Sequence, residues 1–141
     1  MAAFPSVRDS EYSSLAEFRY HIRRFLHFSE QAARAAGIEP QQHQLLLAIR
    51  GLAPDRSSIG TLAERLQIQH HSAVELIDRL ADRGLVSRSR APSDRRHVLV
   101  RLTARGEAEL EKLSQSHLDE LRRNGPALVE ALEKLLQKVL P

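Results

Sequence analysis

Arginines crowd one short stretch of this sequence. Arg88, Arg90, Arg95, Arg96 and Arg101 stand within it, and Asp94 is the one acid among them. Like charges this close repel one another unless an anion lies against them. Planar guanidinium groups suit phosphate oxygens and narrow, A·T-rich minor grooves, where negative potential concentrates. Upstream lies a second polar run, Gln69, His70, His71 and Ser72, followed by Glu75, Asp78, Arg79 and Asp82. Short polar side chains of this kind can enter a major groove and bond base edges or phosphates. Gln69 could read adenine or touch the backbone, and Glu75 could accept from cytosine or orient Arg79. The chemistry these residues suit is recognition of a polyanion, and the bland alternative is a solvated polar face.

Bond-making chemistry has little support. The chain has no cysteine, which excludes disulfides, thiolate nucleophiles, cysteine-based zinc sites and thiol redox switches. It has no Gly-rich phosphate loop and no nucleophile elbow. Glu107, Glu109 and Glu111 alternate at a helix start, where they suit the helix dipole rather than acid–base work. No enzyme activity is expected. His21 and His27 are six residues apart, His70 and His71 point to different faces, and no His-Glu-x-x-His spacing occurs, so neither a metal nor another cofactor is expected. Phe18, His21, Phe25 and Phe28 lie close together on one helix. With His43 they form a candidate pocket for a small aromatic effector, against the plainer reading of core packing.

These residues need elements to position them. Leu15, Phe18, Ile22, Phe25, Ser29, Ala32 and Ala36 alternate steps of three and four, one stripe of a long first helix that Gly37 stops. Pro40 opens a second helix carrying Leu45, Leu46, Ile49 and Leu52, and Gly51 and Pro54 break it. Ser57 and Ser58 are cap candidates for a third, with Ile59, Leu62, Ala63 and Leu66 on one face. After a short gap at Gln67 and Ile68 a fourth follows, its core stripe read as Val74, Ile77, Leu80 and Ala81, with Gly84 at its end. The period then drops to two. Residues 85–90 and 97–102 read as strands flanking the turn Ala91-Pro92-Ser93-Asp94. Thr103 caps a fifth helix. Asn124-Gly125-Pro126 is read as punctuation before a sixth, with Leu128, Leu132, Leu135, Leu136 and Val139. Two helices, a tight turn and a basic hairpin make a winged helix-turn-helix pattern. The expected class is mainly α with a small β-hairpin wing.

Here the sequence resembles the MarR family. Ser93-Asp94-Arg95-Arg96, the strand His97 to Leu102, and Thr103-Ala104-Arg105-Gly106 are similar to its wing signature. Leu62-Ala63-Glu64-Arg65-Leu66 resembles its third helix, and Ala73-Val74 through Leu80, then Gly84-Leu85-Val86, its recognition helix running into the wing. The resemblance covers residues 12 to 141 in element order and is specific from Leu62 to Gly106. It implies a sequence-specific double-stranded DNA-binding transcription regulator, a repressor released by a small molecule. Asp94 would hold the wing in shape, Arg96 would reach the minor groove, Arg95 would touch phosphate or solvent, and residues 69–79 would read the major groove. Residues 1–141 are expected as a single domain. Within it, 12–36 and 103–141 are dimerisation helices and 40–102 the DNA-binding lobe.

Apolar helices at both ends support a homodimer, which also matches a palindromic operator. A net charge of +3 fits a polyanion partner. No apolar run approaches the roughly 18 residues a bilayer span needs. With no signal segment evident at the N-terminus, a cytoplasmic protein is expected and no membrane partner. An architectural nucleic-acid binder without sequence preference, or a metal-responsive regulator, are the alternatives.

Overall fold

A computed structural model describes residues 5–92 and 94–141, and of Arg95 the backbone only. Five α-helices and two strands follow in order: α1 (Asp9–Ala35), α2 (Pro40–Gly51), a 3-10 turn (Pro54–Arg56), α3 (Ile59–Leu66), α4 (His70–Asp82), β1 (Val86–Ala91), β2 (Asp94–Leu102) and α5 (Ala104–Val139). The chain divides into two compact units. One takes in residues up to Gln31 and from Ser116 onward, the other Ala32–Gln115. Among the described residues no helix is long and apolar enough to cross a membrane.

The unit Ala32–Gln115 holds the main core. Leu45, Leu46 and Ile49 of α2, Leu62 of α3, Leu76, Ile77 and Leu80 of α4 and Val100 of β2 form one buried cluster with Leu110 and Leu113. Fully burying a side chain of this size is worth about 1.5–3 kcal/mol. Cutting back Leu62, which is wholly buried, would cost about 2–5 kcal/mol through lost transfer energy and the cavity left behind. The core stripe of α4 differs from the sequence expectation. Ala73 and Leu76 are buried with Ile77 and Leu80, whereas Val74 and Ala81 are half-buried. The stripe therefore runs through 73, 76, 77 and 80, the i, i+3, i+4, i+7 pattern of one face.

Local chemistry sets the boundaries. Glu39 and Gln42 form a reciprocal capping box at the start of α2, and Pro40 sits where its missing N–H is harmless. Ser58 Oγ accepts from the Thr61 amide at 3.2 Å and so caps α3. Gln67 ends α3 in the left-handed region, at φ 55° and ψ 45°. That makes the tight turn into α4 at some conformational cost for a non-glycine residue.

β1 and β2 pair antiparallel from Val86↔Leu102 to Arg90↔Val98, and an irregularity follows before Ala91↔Asp94. The Val100 amide donates to the Ser57 carbonyl at 2.9 Å, which ties β2 to the segment before α3. Both strands run longer than expected into the turn, so Ala91 and Asp94 belong to the ladder.

One element is corrected outright. Helix α5 runs unbroken from Ala104 to Val139 with Pro126 inside it, so the expected fifth and sixth helices are one. An interior proline removes a hydrogen bond and costs about 3 kcal/mol. The apolar stripe continues on both sides of it, and burial of Ala131 and Leu135 offsets part of that cost.

In the other unit α1 and the second half of α5 leave much apolar surface uncovered. Leu15, Leu118, Leu132, Leu136 and Val139 are all exposed.

Candidate nucleic-acid interface

Helix α4 presents its polar face outward. Gln69, His70, His71, Glu75, Asp78, Arg79 and Asp82 are exposed, and Ser72 is half-buried. Gln69 is the N-cap residue, and its side chain makes no capping bond. The first amides of α4 therefore remain available as donors at the positive end of the helix dipole, a ready site for a phosphate.

The hairpin stands in the same unit. Asp94 Oδ1 accepts from the Arg96 backbone amide at 3.0 Å and from Arg96 Nε at 3.3 Å. His97 Nε2 lies 3.7 Å from the other carboxylate oxygen. The hydrogen bond from the Arg96 amide leads, opposed by burial and reinforced by the Arg96 guanidinium and the nearby His97, and together they hold the Asp94 carboxyl below the usual Asp range. A carboxylate that accepts from the amide two residues on forms an Asx-type turn. Asp94 thus shapes the turn, and the Arg96 side chain remains 92% exposed. Ser93 and the Arg95 side chain lie outside the described residues.

Arg88 is engaged within the lobe. Its guanidinium is ion-paired with Asp78 of α4. Strand alternation explains this, because Arg88 shares a face with Val86 and Val100, which are buried against the lobe. Its side chain therefore runs toward α4. Arg90 follows on the same face and is exposed.

A groove of about 580 Å³ opens beside the hairpin, lined among others by Arg56, Thr61, Arg65, Ala91 and His97. Arg56, Arg65 and His97 were not among the expected site residues. The Arg96-His97 adjacency was the available signal for His97; the place of the other two depends on the fold of α3 against the hairpin.

The root of the hairpin is bonded closely. Thr103 Oγ1 donates to the Gly84 carbonyl at 2.6 Å and accepts from the Gly106 amide at 3.1 Å. The Thr103 amide donates to the Leu85 carbonyl at 3.0 Å. Gly106 passes so near that an added Cβ would lie 2.1 Å from the Leu85 oxygen.

The expected effector residues fall in both units. Phe25 and Phe28 meet the ring of His117 edge-on, at 6.0 and 5.4 Å between centroids. His117 Nε2 shares a 2.8 Å hydrogen bond with Ser29 Oγ. His21 pairs with Glu17 at 3.1 Å. The cavity at His21 and Phe25 measures only about 10 Å³, room for one water at most. Phe18 is half-buried on α1. His43 is buried on α2, in the other unit. Phe28 lines an open groove of about 530 Å³ with Tyr20, Arg23, Arg24 and His27, of which only Phe28 belonged to the expected set. Among the described residues no three histidines or acids group to hold a metal ion.

A mainly helical fold with an arginine-bearing hairpin beside an outward polar helix defines a winged helix-turn-helix protein. The model of the MarR family matches residues 36–97. AbsC, a MarR family transcriptional regulator from Streptomyces coelicolor, shares the fold with a TM-score of 0.76 at 23% identity, over 98% of this chain and 95% of that one. A mutant of MarR from E. coli, solved in complex with operator DNA, is 28% identical with a TM-score of 0.64, over 87% of this chain and 90% of that one. A Thauera aromatica protein named as a transcriptional regulatory protein for the hcr operon is 27% identical over 109 residues, 74% of this chain. The matched stretch spans 64% of that relative's length. The stretch from the start of α2 into β2 is thus similar to the MarR family.

Proposed function

We propose that this protein is a sequence-specific, double-stranded DNA-binding transcriptional regulator that acts as a homodimer. Helix α4 enters the major groove with Gln69, His70, His71 and Ser72 foremost, and the hairpin lays Arg96, flanked by Arg90 and Arg95, along the minor groove. The observation that carries this reading is that the Asp94–Arg96 turn and the uncapped start of α4 belong to one compact unit. Base-reading groups and minor-groove cations are then presented by one body. The exposed leucines of α1 and α5 supply the apolar surface for a second copy. The open groove at Tyr20, Arg24 and Phe28 suits an anionic aromatic effector whose binding releases DNA.

Fluorescence anisotropy against DNA from upstream of the protein's own coding sequence and a scrambled duplex, over a salt series, tests the reading. A preference for the native duplex that falls steeply with salt is expected. Arg96→Ala should cost about 1–3 kcal/mol of binding. Equal affinity for both duplexes would favour an architectural binder, and full binding by the Arg96 variant would remove the wing from the interface.

A further inference from the structure

The lobe contains a second concavity whose chemistry DNA recognition does not use. It is a cavity of about 300 Å³ among the end of α2, the 3-10 turn, β2 and the start of α5. Leu52, Val100 and Leu102 give it aliphatic walls, and no aromatic ring lines it. Arg50 and Glu107 stand at it, paired Nε to Oε2 at 3.1 Å with both side chains half or more exposed. Such a solvent-screened pair is weak. Ser57 also lines the cavity, is 1% exposed, and its Oγ is buried without a hydrogen-bond partner among the described residues. Ser57 already spends its backbone carbonyl on the Val100 amide. A buried hydroxyl left unsatisfied is uncommon and needs an occupant or a cause.

We infer that this cavity is a binding site for a compact aliphatic monocarboxylate. The ligand carboxylate takes the place of the Glu107 carboxylate on Arg50 and accepts from the Ser57 hydroxyl. Its branched alkyl body lies on Leu52, Val100 and Leu102. Glu107 is thus an internal competitor that occupies the cation when the site is vacant. A carboxylate fits because Arg50 and Arg101 both line the cavity with Ser57, and a volume of about 300 Å³ limits it to a compact one. An alkyl body fits better than an aryl one because the walls offer no ring to stack on.

The probe is isovalerate at millimolar concentration, titrated into the full chain and followed by backbone amide shifts. Saturable shifts at Ser57 and Val100 are expected, with isovaleramide binding at least about tenfold more weakly because the charge-assisted bonds are lost. Arg50→Gln should weaken isovalerate about tenfold, and Glu107→Gln should tighten it several-fold by removing the competitor. Ser57→Ala should weaken binding without lowering the melting temperature of the ligand-free protein, since it deletes an unpaired buried hydroxyl. The site is refuted if acid and amide bind alike, if shifts appear only around Tyr20 and Phe28, or if Ser57 and Val100 do not respond. Tighter binding of benzoate than of isovalerate at Ser57 would overturn the assignment of an aliphatic body.

Discussion

The Arg88 guanidinium on β1 is ion-paired with the Asp78 carboxylate on α4, so the hairpin and the outward helix neutralise one another where they meet. On the proposed interface, an acid on α4 repels phosphate. Here its charge is matched by an arginine from the strand rather than by the helix itself. Asp78→Asn should release Arg88 for a phosphate. We expect tighter binding to unrelated duplexes, and a log Kd against log salt slope steeper by about one. Folding stability should change by no more than about 1 kcal/mol, as for other solvent-exposed pairs. An unchanged slope would mean that the freed Arg88 does not reach DNA.

The Asp94 carboxyl titrates below the ordinary Asp value of 3.8 because it accepts from the Arg96 amide. A carboxylate with a depressed folded-state pKa contributes its support above the unfolded value and loses it as pH falls through the folded one. The turn should therefore keep its geometry throughout neutral and mildly acidic solution. It should loosen only below pH 3.8. An amide-shift titration of Arg96 should give a midpoint under that value, and Asp94→Asn should abolish the transition. A midpoint at or above the ordinary value would contradict the bond.

Gly106→Ala places a methyl 2.1 Å from a backbone oxygen that is itself hydrogen-bonded. Neither partner is a flexible side chain, so the backbone must shift. The expected loss is about 1–3 kcal/mol, as for overpacking elsewhere in protein interiors. Urea unfolding checks it. A stability equal to the parent's would show that the start of α5 can move away from Leu85 freely.

Gln67 holds a left-handed backbone at φ 55°. Glycine adopts that region without the Cβ penalty, which is about 1–2 kcal/mol for other residues. Part of the gain is lost to the greater freedom of glycine in the unfolded chain. Gln67→Gly should leave a net stabilisation of about 0.5–1 kcal/mol, read as a higher urea midpoint with unchanged slope. A lower midpoint would mean that the glutamine side chain contributes more than its backbone costs.

Much of the lobe was legible because short-range rules and burial agree there. Leu62 and Ala63 on one face, Ser58 as the cap and the change of period after Gly84 each mark an element, and all appear in the fold. The exposed face of α4 was legible for the same reason, though Leu76 was missed because Val74 and Ala81 suggested a stripe rotated from the true one. Pro126 misled because a local breaker competes with helix propagation on both sides, and a sequence window weighs only the breaker. The Asp78–Arg88 pair was hidden for a different reason. Charges are visible in a sequence, but their pairing depends on which way β1 turns Arg88, and that is fixed by Val86 and Val100 entering the core. Ser57 reads as one of two equivalent caps until the fold buries it and exposes Ser58 to the cap position.

The bonds around Thr103 have a mechanical consequence. One hydroxyl and one amide join the end of α4, the entry of β1, the exit of β2 and the first turn of α5. Four segments meeting at such a knot cannot pivot separately, so the reading head is a single stiff tool. On the proposed function, a signal that releases DNA has to carry the whole head away or undo the knot; it cannot bend the finger while the palm stays in the groove.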